Sequence, residues 1–135
     1  MPFVVVDTCV VSYIYSGNLP LADQYRARIG TNDRAISFMT LAELYYGTLR
    51  RNWGDKKRNE LMEHVWRDYV ICPFNHALCI QWAVVRNDTG RIGRRLGVAE
   101  AWIAATALLY NAPLVTHNRK HFEALEPGLT LWSES

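Results

Sequence analysis

The sequence predicts an α/β fold, with a mostly parallel sheet of about five strands covered by helices on both faces. Three observations carry this. Short apolar runs rich in β-branched residues alternate with helix-length segments along the whole chain. The first run, Phe3-Val4-Val5-Val6, is apolar at every position, as in a strand buried on both faces. Residues 99–110 are apolar nearly all round the circumference, the mark of an enclosed helix.

The elements follow in order. The strand at 3–6 ends abruptly at Asp7. Residues 8–15 read as a short helix, closed by Ser16-Gly17-Asn18 and Pro20. A second helix over 21–29 has Leu21, Tyr25 and Ile29 on one face. After a turn at 30–33, a second strand is expected at 35–39 and a helix at 40–50, opened by Thr40. Gly54-Asp55 breaks the chain before an amphipathic helix at 56–68. A third strand at 69–72 is closed by Pro73. Residues 76–86 make another helix, and 87–97, with three glycines, should be the longest irregular segment. The enclosed helix at 99–110, a fourth strand at 113–116, a short helix at 119–125 and an edge strand at 129–132 complete the pattern. With 135 residues and no internal repeat or linker-like stretch, one domain over 1–135 is expected.

Composition narrows the function classes. Half the residues are apolar and about a fifth are charged, as in globular proteins. No stretch is long and apolar enough to span a membrane, and the N-terminus lacks a secretory pattern, so a cytoplasmic protein is expected. Cys9, Cys72 and Cys79 form no C-x-x-C pair and read as free thiols. The four histidines are not grouped with them at zinc-ligand spacing. The net charge of +2 says little, but its distribution says more. Residues 50–58 carry five positive charges against one negative, around Trp53, and residues 86–95 carry four against one. Each run alone reads as a solvated face. Together they make a phosphate-rich partner worth testing.

Three acids and an amide fall at equivalent places. Asp7 follows the first strand, Glu43 lies one turn into the helix after the second, Glu100 opens the enclosed helix, and Asn118 follows the fourth strand. In a parallel sheet the carboxyl ends of the strands share one edge, where such folds bind ligands. Three carboxylates gathered there repel each other, and a hard divalent cation, Mg²⁺ or Mn²⁺, resolves the repulsion. Each position has a second reading that stays open. Asp7 or Thr8 can cap the following helix. Thr40-x-x-Glu43 matches a capping box, taken alone the commoner explanation. Glu100 can answer the positive end of its helix, and Asn118 can be a turn residue. Thr8, Ser12, Thr40 and Thr116 are candidate supporting polar groups, with Thr8, Ser12 and Thr40 open between orienting the acids and simple capping.

Four segments together resemble the PIN-domain nucleases, and within them the VapC-type toxins of prokaryotic toxin–antitoxin pairs: Val4 to Ser12, Thr40 to Gly47, Trp102 to Ala107, and Leu114 to Asn118. They stand in family order and cover the whole chain. The resemblance implies a Rossmann-like α/β/α sandwich and a Mg²⁺- or Mn²⁺-dependent endoribonuclease acting on single-stranded RNA or tRNA. It also implies a homodimer and a cognate antitoxin that blocks the site. It assigns Asp7, Glu43 and Glu100 as metal carboxylates and catalytic residues, and the capping role then falls to Thr8. Two departures stand out. Glu100 replaces the usual Asp, and His121, before Phe122, replaces a frequent fourth acid, which leaves Asn118 as the polar member. Arg86, Arg91, Arg94 and Arg95 are candidates for RNA phosphates, and Trp53 for stacking on unpaired bases. The apolar stripe of 56–66 is a candidate groove for an antitoxin helix. One alternative is a PIN-like protein that binds RNA without cutting it. A phosphotransfer domain ranks far lower, because Cys9 stands where its second Asp is needed.

Overall fold

The computed structural model describes residues 3–17 and 20–134. Strands β1 (Phe3–Val6), β2 (Asp33–Ser37), β3 (Val70–Cys72), β4 (Leu114–Val115) and β5 (Leu131–Trp132) form one sheet. Their order is β3-β2-β1-β4-β5, and every neighbouring pair is parallel. The chain steps outward from β1 to β3, then crosses back to β4 on the other flank of β1. The order therefore reverses at β1, and a crevice opens beyond the carboxyl ends of strands at such a switch point.

β1 is central because its residues divide between two cores. Val4 and Val6 face a cluster with Ile36, Val115 and apolar residues of α1 (Thr8–Ser16), α2 (Leu21–Ile29), α3 (Phe38–Arg50) and α4 (Asp55–Asp68). Val5 faces the opposite cluster, with Leu114, Leu131, α5 (His76–Arg91) and α6 (Val98–Leu109). All three valines are at most 1% exposed, as an all-apolar strand requires. α6 is the enclosed helix, with Ala101, Ile103, Ala104, Ala105, Thr106 and Ala107 all buried. A short helix α7 (Arg119–Phe122) and a 3₁₀ turn, Glu123–Leu125, lead to β5. Phe122 anchors this return, at 1% exposure.

Three expectations shift, one being the edge strand, which starts two residues late at Leu131. The second strand begins and ends two residues earlier than its apolar run, at Asp33–Ser37. Its pairing with β1 starts at Asp33 opposite Phe3, and Ser37 ends it by accepting the Met39 N–H at 3.1 Å as the cap of α3. Phe38 and Met39 are thus helical. The irregular segment also shrinks, because α5 runs through Asn87, Asp88 and Gly90 to Arg91. The expected helix stop at 16–18 is met by Gly17, whose left-handed φ of 70° closes α1. Asn18 lies outside the described residues.

Besides backbone bonds, the segment after α5 is held by two side-chain hydrogen bonds to that helix. Buried Thr89 Oγ1 donates to the Val85 carbonyl at 2.8 Å and accepts the Leu96 N–H at 3.1 Å. Arg86 Nη1 donates to the Leu96 carbonyl at 2.8 Å. Thr89→Val orphans the buried Leu96 N–H, so it should cost about 1–3 kcal/mol. A lower urea midpoint with an unchanged denaturant slope checks this, and Thr89→Ser should recover most of the loss.

Candidate functional site

The carboxyl ends of β1, β2 and β4 bring polar side chains together around Asp7. Asp7 is the first residue past β1 and only 6% exposed. Its Oδ1 accepts the Thr8 N–H at 2.8 Å. Its Oδ2 accepts from Thr116 Oγ1, beyond β4, at 2.7 Å, and from the Cys9 thiol at 3.5 Å. Thr116 is in turn fixed by accepting the Asn118 N–H at 3.0 Å. Asp7 therefore occupies the cap position of α1 itself, and the assignment of the cap to Thr8 is corrected.

Thr8 is turned to the second acid. Its hydroxyl donates to Glu43 Oε1 at 2.6 Å and lies 3.1 Å from Thr40 Oγ1. The capping-box reading of Thr40 and Glu43 fails for a simple reason. α3 starts at Phe38 under a Ser37 cap, so both residues lie inside the helix. Thr40 is fully buried beneath the contact. Ser12, one turn along α1 from Thr8, lines the same groove as Glu43.

Glu100 comes from the first turn of α6, as expected, and two groups hold it. Oε1 accepts a long 3.4 Å contact from the Gly97 N–H, so the helix-terminus reading is partly met. Oε2 is in hydrogen-bond contact with His121 Nδ1 of α7. His121, the residue in place of the fourth acid, is thus a member of the site. Cys9 is another that spacing alone did not reveal. Asn118 reaches Cys9 Sγ at 3.7 Å with its side chain and supports Asp7 only through its backbone. Tyr25 is a third omission. Its buried hydroxyl lies 2.7 Å from His117 Nδ1 and 3.2 Å from the Thr116 carbonyl, tying α2 to the turn that carries Thr116. Apolar periodicity marks Tyr25 only as core, since its hydroxyl partners are about ninety residues away.

The electrostatics follow from burial. Burial raises the Asp7 carboxyl above its ordinary range, against hydrogen bonds that lower it, and Glu100 adds repulsion. Burial also raises Glu43, opposed by the Thr8 hydrogen bond and assisted by Asp7 and Glu100. Cys9 is pushed up to about 12 by burial and by Asp7, so it stays a neutral thiol. Among the described residues, no basic side chain is ion-paired with Asp7 or Glu43. A buried carboxylate with acidic neighbours and no counter-charge suits a cation. The donors are hard oxygens, which fit Mg²⁺ or Mn²⁺. As the side chains stand, no three of the described His, Cys, Asp and Glu residues are gathered closely enough to enclose an ion.

Two concavities flank the acids. One, of about 480 Å³, lies between α1, α3 and α4 and includes Glu43, Tyr13, Tyr15, Leu44, Arg51 and Trp53. The other, of about 280 Å³, includes Glu100, His121, Arg94, Arg95 and Lys120. Arg94 and Arg95 therefore lie beside an acid. Arg86 does not belong with them, because its guanidinium is committed to the Leu96 carbonyl and lies over Trp82. Arg91 is exposed at the end of α5, outside the cavity.

The PIN domain profile matches residues 4–126. Ribonuclease VapC2 of Rickettsia felis is 31% identical over 100 residues, covering 74% of this chain and 73% of that protein. Ribonuclease VapC1 of Haemophilus influenzae strain R2866 is 29% identical over 121 residues, 89% of this chain and 90% of that protein. Among solved structures, VapBC2 of R. felis, bound to a DNA fragment from its promoter, superposes with a TM-score of 0.82 at 24% identity. That match covers 98% of this chain and 99% of the other. VapBC-5 of Mycobacterium tuberculosis gives 0.77 at 26% identity, over 99% and 100%.

Because the folded chain favours protonated Asp7, it binds more protons than the unfolded chain between the ordinary Asp value and the raised one. Stability should fall as pH rises through that window and level off above it. Asp7→Asn keeps an acceptor for the Thr8 N–H and reverses the Thr116 contact, with the amide NH2 donating to Thr116 Oγ1, while removing the buried charge. Its thermal midpoint at pH 7 should rise by a few degrees, and the acid-side slope should flatten, as read by calorimetry from pH 4 to 8.

Proposed function

The chain belongs to the PIN-domain family, alongside the VapC ribonucleases, and from that premise we propose that it is a metal-dependent endoribonuclease cutting single-stranded RNA or tRNA. It acts as the toxin of a toxin–antitoxin pair in the cytoplasm. The observation that carries this reading is the edge shared by Asp7, Glu43 and Glu100, with no basic side chain among the described residues ion-paired to Asp7 or Glu43. Asp7, Glu43 and Glu100 would hold Mg²⁺ or Mn²⁺, which when bound offsets charge on a scissile phosphate and makes water a better nucleophile. The chain's own groups do the positioning. Thr116 and the Thr8 N–H fix the two oxygens of Asp7. The Thr8 hydroxyl aims Glu43, and the apolar layers behind β1 keep bulk water from the rear of the site.

The remaining partners follow from surfaces. The groove between α1, α3 and α4, with Tyr13, Tyr15, Leu44 and Trp53, suits the apolar face of an amphipathic antitoxin helix. Ile80 and Val84, one turn apart on α5 and both exposed, together with Phe74, support a homodimer. One observation favours the second reading, RNA binding without cleavage: Glu100 is engaged by His121 and the acids are not closed around a point.

Cleavage of single-stranded RNA by the purified chain in Mg²⁺ or Mn²⁺ decides between them. Asp7→Asn and Glu43→Gln should each lower that cleavage by about a thousandfold, the scale of a lost transition-state charge contact. EDTA should abolish it. Glu43→Gln that lowers stability and leaves cleavage intact would return Glu43 to a structural role. Co-expression with the product of the adjacent open reading frame should yield a complex that no longer cuts.

A further inference from the structure

We propose that Arg95 and Lys120 form a preorganised seat for one phosphate of the RNA strand, on the Glu100 side of the cut, and that Gly90 is what lets Arg95 occupy it. This rests on the ribonuclease reading above. The cavity beside Glu100 has a volume of about 280 Å³ and is walled by Arg94, Arg95, Lys120 and His121. Its one acid, Glu100, is engaged by His121. Arg94 is held by Glu123 at 3.0 Å. Arg95 and Lys120 take part in no ion pair among the described residues, so their charge faces the cavity uncompensated. A guanidinium fork and an ammonium on one concavity suit a phosphodiester oxygen pair.

An exposed arginine usually waves in solvent. Arg95 instead lies against the end of α5, and a glycine makes the room. Gly90 lies in the last turn of α5, where glycine is unfavourable relative to alanine. Its backbone does not demand glycine, since the left-handed glycines among the described residues are Gly17, Gly30 and Gly93. A Cβ at residue 90 would collide with the Nη2, Nε and Cζ atoms of Arg95. The bare backbone of Gly90 is thus the floor on which the guanidinium lies. The collision involves only the far end of a flexible side chain, so Gly90→Ala displaces the Arg95 head and leaves the helix intact.

The two flanks of the acidic edge thereby differ. The Glu43 side offers aromatic surface, Tyr13, Tyr15 and Trp53, while the Glu100 side offers cations. A single strand crossing the acids would present a phosphate to the second and bases to the first.

The test is binding of a 5′-labelled mixed-sequence single-stranded decaribonucleotide to the full chain in EDTA, by fluorescence anisotropy across salt. Arg95→Ala, Lys120→Ala and Gly90→Ala should each weaken binding about fivefold and flatten the salt slope by about 0.7, one phosphate contact on a single strand. Gly90→Ala should do so with an undiminished thermal midpoint. Arg67→Ala, an equal loss of charge beside the amino end of β2, should change neither quantity. Wild-type affinity and slope in Arg95→Ala overturn the seat. Weakening in Arg95→Ala with none in Gly90→Ala overturns the role of the glycine. A wild-type chain that neither binds nor cuts RNA overturns the ribonuclease reading, and this inference with it.

Discussion

Burying one carboxylate at the end of β1 is the constraint on which the rest of the site depends. Asp7 is a single residue past a strand that is closed on both faces, so it has no route to bulk water along the chain. Its charge can be tolerated only through donors brought from elsewhere. Thr116 comes from beyond β4, 109 residues away, and the Thr8 N–H comes from the start of α1. Parallel pairing of β1 with β4 sets that reach, with Val6 opposite Val115. Parallel pairing with β2 does the same for Ser37, and so for where α3 begins and where Glu43 points. Sheet register is therefore also site geometry.

The fold was legible because its signals are strong and local. Val4-Val5-Val6, the all-apolar α6 and the alternation of strand and helix need no tertiary information. The misplacements occur where tertiary contacts override local preference. Phe38 and Met39 look like strand, but the Ser37 hydroxyl caps a helix there. Asn87, Asp88 and Gly90 look like loop, but Thr89 and Arg86 bind the following segment back onto α5 and keep it helical. The acids could be picked out because strand ends in a parallel sheet share an edge. Thr8 and Thr116 could be named as supporting groups, but not which acid each would meet, and Cys9 and His121 were not among them. The contacts of Thr8 with Glu43, Cys9 with Asp7, and His121 with Glu100 depend on rotamers and on sequence separations that no spacing rule encodes.

The site carries a cost that a purely structural edge would avoid. Asp7 and Glu43 are both raised by burial first and by acidic neighbours, Glu100 beside Asp7, and Asp7 and Glu100 beside Glu43, so the folded chain holds charge it would be more stable without. Such local destabilisation is expected where function requires a particular charge. Around it the surface divides into an aromatic groove and a cationic cavity, with Glu43 in the wall of one and Glu100 in the wall of the other. Both glutamates come from the first half of helices that flank the sheet, so the two sides are braced by separate cores.

We propose that this acidic edge, with buried Asp7 at its centre, is built for a divalent cation. Isothermal titration of Mn²⁺ into the wild-type chain and into Asp7→Asn tests it most directly. Saturable binding to the wild type, lost in Asp7→Asn while that variant remains folded, is the predicted result. No saturable binding to the wild type, or the same isotherm for both proteins, would contradict it.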